Sequence, residues 1–349
     1  MDINLLSPHR LDRLRELVAD ATRIVICCHK SPDGDALGSS LAWAEYLHSQ
    51  GKDATVVVPD AYPDFLQWLP NAEGIIRYDK YPERAAGLLS AADLIFCLDF
   101  NTTSRVGDMQ AVLDASPAQK ILFDHHLSPD IKTVMRVSEK KLSSTSEIVF
   151  RIVWQLGAFD AMSKQFAICL YCGMMTDTGA FTYNSSDAEI YYIISQLLTK
   201  KFDKDLIYRK VYNNYSASCI RMRGYMMYEK LQVFPNEHAA YFTITKDDMA
   251  RFQFVKGDAE GLVNEPLRIK KMRMSISLRE DSEKENLVWV SLRSVGPWHC
   301  NKIAETFFNG GGHPNAAGGH LHCTIQEAEK IARDAIQHFA KINDPLPKS

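Results

Sequence analysis

The sequence predicts an α/β fold in two domains, and three observations support this prediction. Short apolar runs alternate with helix-like segments from residue 23 to about residue 130, a pattern typical of parallel strands buried on both faces. The pattern changes near residue 238, where apolar and polar residues begin to alternate. The 349 residues suffice for two cores. We therefore expect an N-terminal domain with a mainly parallel sheet flanked by helices, a helical connector, and a smaller C-terminal α/β domain, at 1–200, 201–230 and 231–349.

The N-terminal domain is predicted to contain four strands, with helices between and after them. The clearest helix is Ala36–Ser49, where leucines recur at helical spacing and Gly51 follows as a stop signal. Three later helices are expected at 145–156, 164–175 and 187–200, and the last should carry Tyr191, Ile194 and Leu197/Leu198 on one face. The predicted strands are Ile24–Cys28, Thr55–Val58, Leu94–Leu98 and Ile121–Phe123.

The C-terminal domain is predicted to be built on a hairpin. The polar segment Glu280–Asn286 separates two strands, Met272–Leu278 and Leu287–Arg293, and Ala239–Ile244 precedes them as another strand. The remaining predicted elements are a helix at about 300–308, a glycine-rich loop at Gly310–His313, a short strand and a terminal helix at about 325–340.

The composition excludes several classes of protein. Hydrophobic residues make up 46% and charged residues 24%, which is typical of a globular enzyme. The net charge of −3 argues against a partner of long DNA, which normally requires a basic excess. No run reaches the roughly 18 apolar residues of a membrane span, so we expect a cytoplasmic protein without a membrane partner. Eight cysteines lack framework spacing, and we assign the pair Cys169 and Cys172 to core packing.

Side chains that bind metals cluster where predicted strands and helices end. The carboxyl ends of parallel strands meet at one edge of a sheet, so these groups should lie close together. Their mixture of carboxylates and imidazoles suits a pair of divalent cations. The residues are His29, Asp33, Asp35, Asp99, Asp124, His125, His126 and Asp177.

Each motif also has a simpler interpretation. Asp33 and Asp35 could cap the helix that follows them, because a helix N-terminus favours negative charge. The three glycines at 310–312 could expose backbone N–H groups to a phosphate, with help from His313 and Arg293, or could form only a flexible turn. The number of such groups in one chain favours a metal and phosphate site.

The order of these motifs resembles the DHH phosphoesterase superfamily. The pattern H-x-x-x-D-x-D begins at His29, the strand-end Asp99 follows, and D-H-H and T-D-T-G stand at 124–126 and 176–179. The segment 310–318, preceded by Ser-Leu-Arg-Ser at 291–294, resembles the DHH-associated domain of that superfamily. The resemblance spans about residues 20–340, with no metal-ligand position missing.

The resemblance implies two bound Mn²⁺ ions, with Mg²⁺ or Co²⁺ as alternatives. His29 and Asp33 would bind one ion. Asp35, His125 and Asp177 would bind the other, and Asp99 would bridge both as a catalytic residue. His126 would be the second catalytic residue, at the scissile phosphate, and Asp124 would orient a histidine ligand. The implied substrate-binding residues are Arg293, Ser294, Gly310, Gly311, Gly312 and His313.

The implied function is phosphoester hydrolysis on very small nucleic-acid substrates. The resemblance favours degradation of short RNA to 5′-mononucleotides, and conversion of 3′-phosphoadenosine 5′-phosphate to AMP. A cyclic or linear dinucleotide phosphodiesterase would use the same metal site and remains an alternative. A nucleotide-binding sensor without turnover is the second alternative, although a complete ligand set argues against it. We expect a monomer or homodimer whose partner is short RNA or a nucleotide.

Overall fold

The computed structural model describes residues 2–255 and 257–342. The chain forms two compact units, Met1–Asn214 and Tyr215–Ser349. Their division falls inside the segment 201–230, for which a helical connector is predicted, and the domain bounds given above stay a prediction. The last part of the predicted C-terminal domain, 343–349, lies outside the described residues. Within the described residues, no helix is both long enough and apolar enough to span a membrane.

The first unit is built on a sheet of six parallel strands, which confirms the predicted fold class. The chain adds strands on one side of the first strand and then on the other, in the order β3-β2-β1-β4-β5-β6. The order therefore reverses between β1 and β4, the type of position at which open α/β sheets bind ligands. The strands are β1 (Arg23–Cys27), β2 (Asp53–Val58), β3 (Ile76–Arg77), β4 (Leu94–Leu98), β5 (Gln119–Asp124) and β6 (Met135–Ser138).

Helices cover both faces of this sheet. Alternate residues of β1 enter different cores: Ile24 and Ile26 pack in one, Val25 and Cys27 in the other. The strands are consequently apolar at almost every position, which explains why their sequence signal is clear. The helices are α1 (Pro8–Asp20), α2 (Gly34–Ser49), α3 (Pro82–Ala91), α4 (Gln110–Ala115), α5 (Thr145–Gln155), α6 (Lys164–Asp177), α7 (Ala188–Leu198) and α8 (Lys204–Tyr212).

The face predicted for α7 is confirmed at Leu197 and wrong at Tyr191. Ile190, Ile193 and Leu197 are buried, whereas Tyr191 is 51% exposed. A tyrosine ring is apolar enough to imitate a core residue in a helical pattern, but its hydroxyl allows it to remain in water. The three aliphatic residues define the true face.

The second unit contains a mixed sheet of six strands, in the order β11-β12-β10-β9-β8-β7. The predicted hairpin is confirmed, since β9 and β10 pair antiparallel with Ser277 opposite Ser291. The pair β8 and β9 is parallel. The elements are α9 (Ala217–Tyr225), β7 (Gln232–Phe234), β8 (Ala239–Ile244), α10 (Lys246–Arg251), β9 (Met274–Glu280), β10 (Val288–Ser294), α11 (Asn301–Phe307), β11 (Gly311–His313), β12 (Ala316–Leu321) and α12 (Ile325–Ile342).

The predicted glycine-rich loop is largely a strand. Residues Gly311–His313 form β11 and pair antiparallel with β12. A Cβ atom at Gly310 would overlap the carbonyl oxygen of Gly318, and one at Gly312 would lie 2.6 Å from the carbonyl oxygen of Ala316. Two of the three glycines are therefore needed for close backbone packing. The alternative of a flexible turn is therefore wrong, and the exposure of backbone N–H groups at 310–312 to a phosphate stays a prediction.

Candidate metal centre

The candidate site lies at the carboxyl end of the parallel sheet, where the strand order reverses. Asp99 directly follows β4, His125 directly follows β5, and Asp177 is the last residue of α6. Asp99 has a φ of 64°, a left-handed conformation that aspartate adopts more readily than most residues. Its backbone N–H donates to the carbonyl of Phe123 at 3.0 Å, which ties the turn to β5. The turn is thus fixed on both sides.

Asp33 serves as a helix cap and also faces the site. One of its carboxylate oxygens accepts hydrogen bonds from the backbone N–H groups of Asp35 and Ala36, both at 3.0 Å. The other oxygen lies 3.7 Å from Nε2 of His29. The capping interpretation and the metal-ligand interpretation are compatible, because each uses a different oxygen.

Two groups of donor atoms share Asp99. One oxygen of Asp99 lies 3.5 Å from Nε2 of His29, and the other lies 3.5 Å from Nε2 of His125. Nε2 of His125 also faces Asp177 at 3.4 Å and Asp35 at 4.0 Å. The structure therefore brings together all six residues expected to bind metal, as two groups joined by one carboxylate.

The chemistry of these donors fits divalent cations. Nδ1 of His29 lies 2.8 Å from the carbonyl oxygen of Lys30, and Nδ1 of His125 lies 3.3 Å from that of Leu142. Since a carbonyl only accepts, each Nδ1 carries the proton, and each Nε2 directs its lone pair at carboxylate oxygens. A lone pair and carboxylate oxygens repel each other, and only a proton or a cation between them removes this repulsion. Bonds of about 2.1 Å to a shared cation would place ligand atoms about 3.0–3.5 Å apart, close to the observed spacing.

The histidine pKa values reflect this surplus of negative charge. Burial alone would lower the pKa of His29, but the adjacent carboxylates of Asp33 and Asp99 outweigh it and raise the pKa to about 10. Burial is likewise outweighed at His125, where Asp177, Asp99 and a third carboxylate raise the pKa to about 9. Without cations, protons therefore occupy both histidines at neutral pH.

The pKa values of the carboxylates differ because their surroundings differ. Burial, together with the charges of Asp99 and Asp177, raises the pKa of Asp35 well above its usual value. Burial also raises the pKa of Asp177, to about 7. Burial would raise the pKa of Asp99 too, but the hydrogen bond from His29 and the neighbouring histidines hold it below its usual value. Asp99 is thus the carboxylate that most readily carries a negative charge.

Asp124 orients a histidine, but a different one from the ligand expected. Its Oδ1 lies 2.7 Å from Nδ1 of His126. Its Oδ2 is buried and has no hydrogen-bond partner among the described residues. His125 is instead held by the carbonyl of Leu142. Asp124 therefore fixes the ring of the predicted catalytic residue.

The N-terminus of α5 contributes contacts that the sequence did not reveal. The backbone N–H groups of Thr145 and Ser146 donate to the two oxygens of Asp35, at 2.6 and 2.8 Å. The hydroxyl of Thr145 donates to Asp99 at 3.0 Å. The sequence predicted only a helix at 145–156 for this segment. The proximity of Thr145 and Ser146 to Asp35, more than a hundred residues away in the chain, depends on tertiary structure.

Three glycines allow the helices that carry the ligands to approach closely. A Cβ atom at Gly34 of α2 would overlap Thr176 of α6, and one at Gly38 would overlap the backbone of α6. A Cβ atom at Gly173 of α6 would overlap the hydroxyl of Ser146 and lie 2.9 Å from Oδ1 of Asp35. The spacing of α2, α5 and α6, and so the position of their carboxylates, depends on these glycines.

The residues predicted to bind substrate lie in the second unit, on both sides of its sheet. Arg293 of β10 and His313 of β11 are both paired with Ala316 of β12, so they belong to one row on one face. Ser294 is the next residue along β10, is buried, and accepts a hydrogen bond from Asn315 at 3.0 Å. The structure brings Arg293 and His313 together but directs Ser294 to the other face.

Comparison with known families and proteins identifies similar chains. Residues 23–174 match the DHH family, N-terminal domain, and residues 238–341 match the DHHA1 domain. An exopolyphosphatase-related protein from Bacteroides fragilis has a similar structure, with a TM-score of 0.91 and 47% identity, covering 96% of this chain and 98% of that one.

Two curated proteins add functional names. The probable bifunctional oligoribonuclease and PAP phosphatase NrnA of Streptococcus mutans is 28% identical over 313 residues, covering 89% of this chain and 93% of that protein. The cyclic-di-AMP phosphodiesterase GdpP of Geobacillus thermodenitrificans is 24% identical over 348 residues, covering 95% of this chain and 50% of that protein.

Proposed function

This chain belongs to the DHH family, and we propose that it hydrolyses short oligoribonucleotides to 5′-mononucleotides with two bound Mn²⁺ ions. It is a phosphoester hydrolase of that family. The observation that carries the proposal is the placement of Asp99, whose two oxygens face two separate histidine-carboxylate groups. The oligoribonuclease name of a relative that this chain covers over 93% of its length supports the substrate class.

Different residues of the chain would have different roles in hydrolysis. Two divalent cations, when bound, would supply positive charge to the phosphoryl oxygens and to the attacking water. Asp99 would hold both ions at a fixed separation. His126, whose Nδ1 is held by Asp124, would present its opposite nitrogen to the scissile phosphate and give a proton to the departing oxygen. Asp124 would keep that ring in position.

Two related activities compete with this proposal. Hydrolysis of 3′-phosphoadenosine 5′-phosphate to AMP would need the same site, and the relative NrnA carries both names. Cleavage of cyclic or linear dinucleotides is the other alternative, although the relative named for it is about twice as long as the region it shares with this chain. A sensor without turnover would need no second cation group, so the two groups joined at Asp99 argue against it.

A substrate panel tests the proposal directly. With Mn²⁺, we expect faster release of mononucleotides from di- to pentaribonucleotides than from long single strands, because few groups attract phosphate and the net charge of −3 repels a long polyanion. The panel should include 3′-phosphoadenosine 5′-phosphate and cyclic and linear di-adenylate, each with Mn²⁺ and with chelator. Faster degradation of a long strand than of a trimer, or turnover in chelator, would contradict the proposal.

Metal binding should release protons. At about pH 7 the metal-free protein holds protons on His29 and His125, because their pKa values are raised to about 10 and about 9. Each Nε2 must lose its proton to bind a cation. The carboxyl groups of Asp35 and Asp177, whose pKa values are also raised, must lose theirs too. We therefore expect release of more than about two protons and an affinity that rises with pH. Calorimetry in buffers of different ionisation enthalpy measures both quantities. An affinity for Mn²⁺ that is constant between about pH 7 and pH 9 would refute this assignment.

Arg293 and His313 should affect substrate binding without affecting the metals. We expect Arg293→Ala and His313→Ala to raise the KM for a short oligoribonucleotide, because they remove donors suited to phosphate. Metal content, measured by elemental analysis of the purified proteins, should match that of the unmodified chain. Loss of metal from either variant would show that its role has been assigned wrongly.

A further inference from the structure

One face of the second sheet has a pattern that the proposed function does not use. Residues paired across antiparallel strands point to the same face, so the register defines rows of side chains. The opposite face packs against α12, where Ile276, Val290 and Leu292 enter the core. The first row holds Arg293 and His313, the middle row holds Gly311, Gly318, Ser291 and Ser277, and the third row holds His320, Trp289 and Arg279.

The third row is an aromatic and basic platform. Of the five tryptophans, all within the described residues, Trp289 alone is exposed, at 39%. Its Nε1 donates to Asp281 at 2.7 Å, which fixes the plane of the indole. The ring of His320 lies beside it, with centroids 6.0 Å apart. An exposed indole held in one orientation has little entropy to lose when a flat ligand stacks on it.

Arg279 gives the same row an unused positive charge. Among the described residues no carboxylate forms an ion pair with it, and its guanidinium lies 5.6 Å from the ring centroid of Phe254. Burial lowers its pKa, although the charge of Asp281 opposes this change. Asp281 itself accepts hydrogen bonds from Trp289 and from the backbone N–H of Glu283 and Lys284. A partly buried arginine that forms no ion pair with the described residues favours the binding of an anion.

The face as a whole complements a nucleic acid. None of the residues in its three rows is acidic, and two are arginines. On β9, β10, β11 and β12 its middle row consists of glycine and serine, so nothing bulky separates the first row from the third on these strands. On β8 the row continues to Phe242, which is buried. Bases stack on aromatic rings and phosphates pair with arginine in proteins that bind single strands. An apolar partner, or a peptide without acidic side chains, would leave both arginines without a counter-charge.

We propose that the third row, formed by His320, Trp289 and Arg279, binds a second nucleotide of a short single-stranded RNA whose terminal phosphate lies at Arg293. Trp289 stacks on the base, and Arg279 pairs with the adjoining phosphate. Trp289 and Arg293 are four residues apart on β10, about 13 Å, so only a ligand longer than one nucleotide contacts both rows fully. This inference rests on the proposed function for its substrate class, and it makes the platform a determinant of substrate length.

The test compares ligands of different length on one protein. Binding is measured by calorimetry in the full chain carrying Asp99→Asn, with Mn²⁺, so that no turnover occurs. The ligands are 5′-phosphorylated triadenylate and 3′-phosphoadenosine 5′-phosphate. When Trp289→Ala is introduced into the Asp99→Asn chain, we expect the Kd for triadenylate to rise about tenfold. The Kd for 3′-phosphoadenosine 5′-phosphate should rise much less. Trp289→Phe, which keeps a ring but loses the hydrogen bond to Asp281, should restore most of the affinity.

Controls separate stacking from effects on folding. Tyr228 is 86% exposed and lies outside the three rows, so Tyr228→Ala should change neither Kd. Trp289→Leu keeps an apolar side chain without a π face and should behave as Trp289→Ala does if stacking is responsible. If Trp289→Ala lowers the affinity for both ligands equally, or does not lower the affinity for triadenylate, the proposed role of the platform is refuted.

Hydrolysis of triadenylate, measured in the chain that retains Asp99, tests the proposed function separately from the proposed platform. If triadenylate binds in a manner that depends on Trp289 but is not hydrolysed, the proposed function is refuted and the role of the platform in binding is supported. Hydrolysis with unchanged KM in Trp289→Ala would refute the platform and leave the proposed function standing. Failure of triadenylate to bind at all would refute the platform.

Discussion

Asp99→Ala should reduce hydrolysis by about three orders of magnitude or more, the largest loss of any single ligand. Each oxygen of Asp99 faces a different histidine at 3.5 Å, so its removal affects both cation groups at once. Substitution of Asp33, which belongs to one group, should leave the other group intact and cost less. The measurement is the rate of mononucleotide release in Mn²⁺, with metal content determined on the same samples.

The backbone conformation at Asp99 dictates the choice of second variant. Its φ of 64° is unfavourable for alanine but is tolerated by asparagine, so Asp99→Asn tests the charge without straining the turn. Asp93 immediately precedes the same strand, β4, and its carboxylate accepts from the backbone of Arg23 at 2.8 Å. Asp93→Ala therefore controls for damage to β4 and should retain activity. Near-normal turnover by well-folded Asp99→Asn would refute the two-metal arrangement.

The sequence predicted four of the six strands of the first sheet, because burial on both faces leaves a continuous apolar run, but it missed β3 and β6. Leu94–Leu98 was predicted with the observed bounds, and the first strand was displaced by one residue. The strand-end positions of Asp99 and His125 followed from those bounds. Parallel topology then placed their side chains at one edge of the sheet, which is why the candidate ligands could be proposed without a structure.

Features that depend on contacts between distant segments could not be predicted. Glycine has a low strand propensity, so β11 was predicted as a loop although its backbone pairs with β12. The two-residue strand Ile76–Arg77 is too short to show a pattern. The hydrogen bonds from Thr145 and Ser146 to Asp35 join segments separated by more than a hundred residues. No local pattern in the sequence specifies such a partner.

Gly173→Ala should impair both stability and activity, although Gly173 is not expected to bind metal. The new Cβ would overlap the hydroxyl of Ser146 and lie 2.9 Å from Oδ1 of Asp35. Overpacking of this kind costs about 1–3 kcal/mol. It would also move the N-terminus of α5 away from Asp35, which now accepts hydrogen bonds from Thr145 and Ser146. We expect a lower Tm and weaker binding of Mn²⁺, measured by thermal unfolding and calorimetry.

Two further variants show whether the overlap is the cause. Gly87 also lies inside a helix, α3, and a Cβ there would meet nothing within 4 Å, so Gly87→Ala should be neutral or stabilising. The hydroxyl of Ser146 has no hydrogen-bond partner among the described residues, so its removal alone should cost little. Adding Ser146→Ala to Gly173→Ala should therefore recover part of the lost stability and metal affinity. If Gly173→Ala proves as harmless as Gly87→Ala, the close approach of α5 and α6 does not position Asp35.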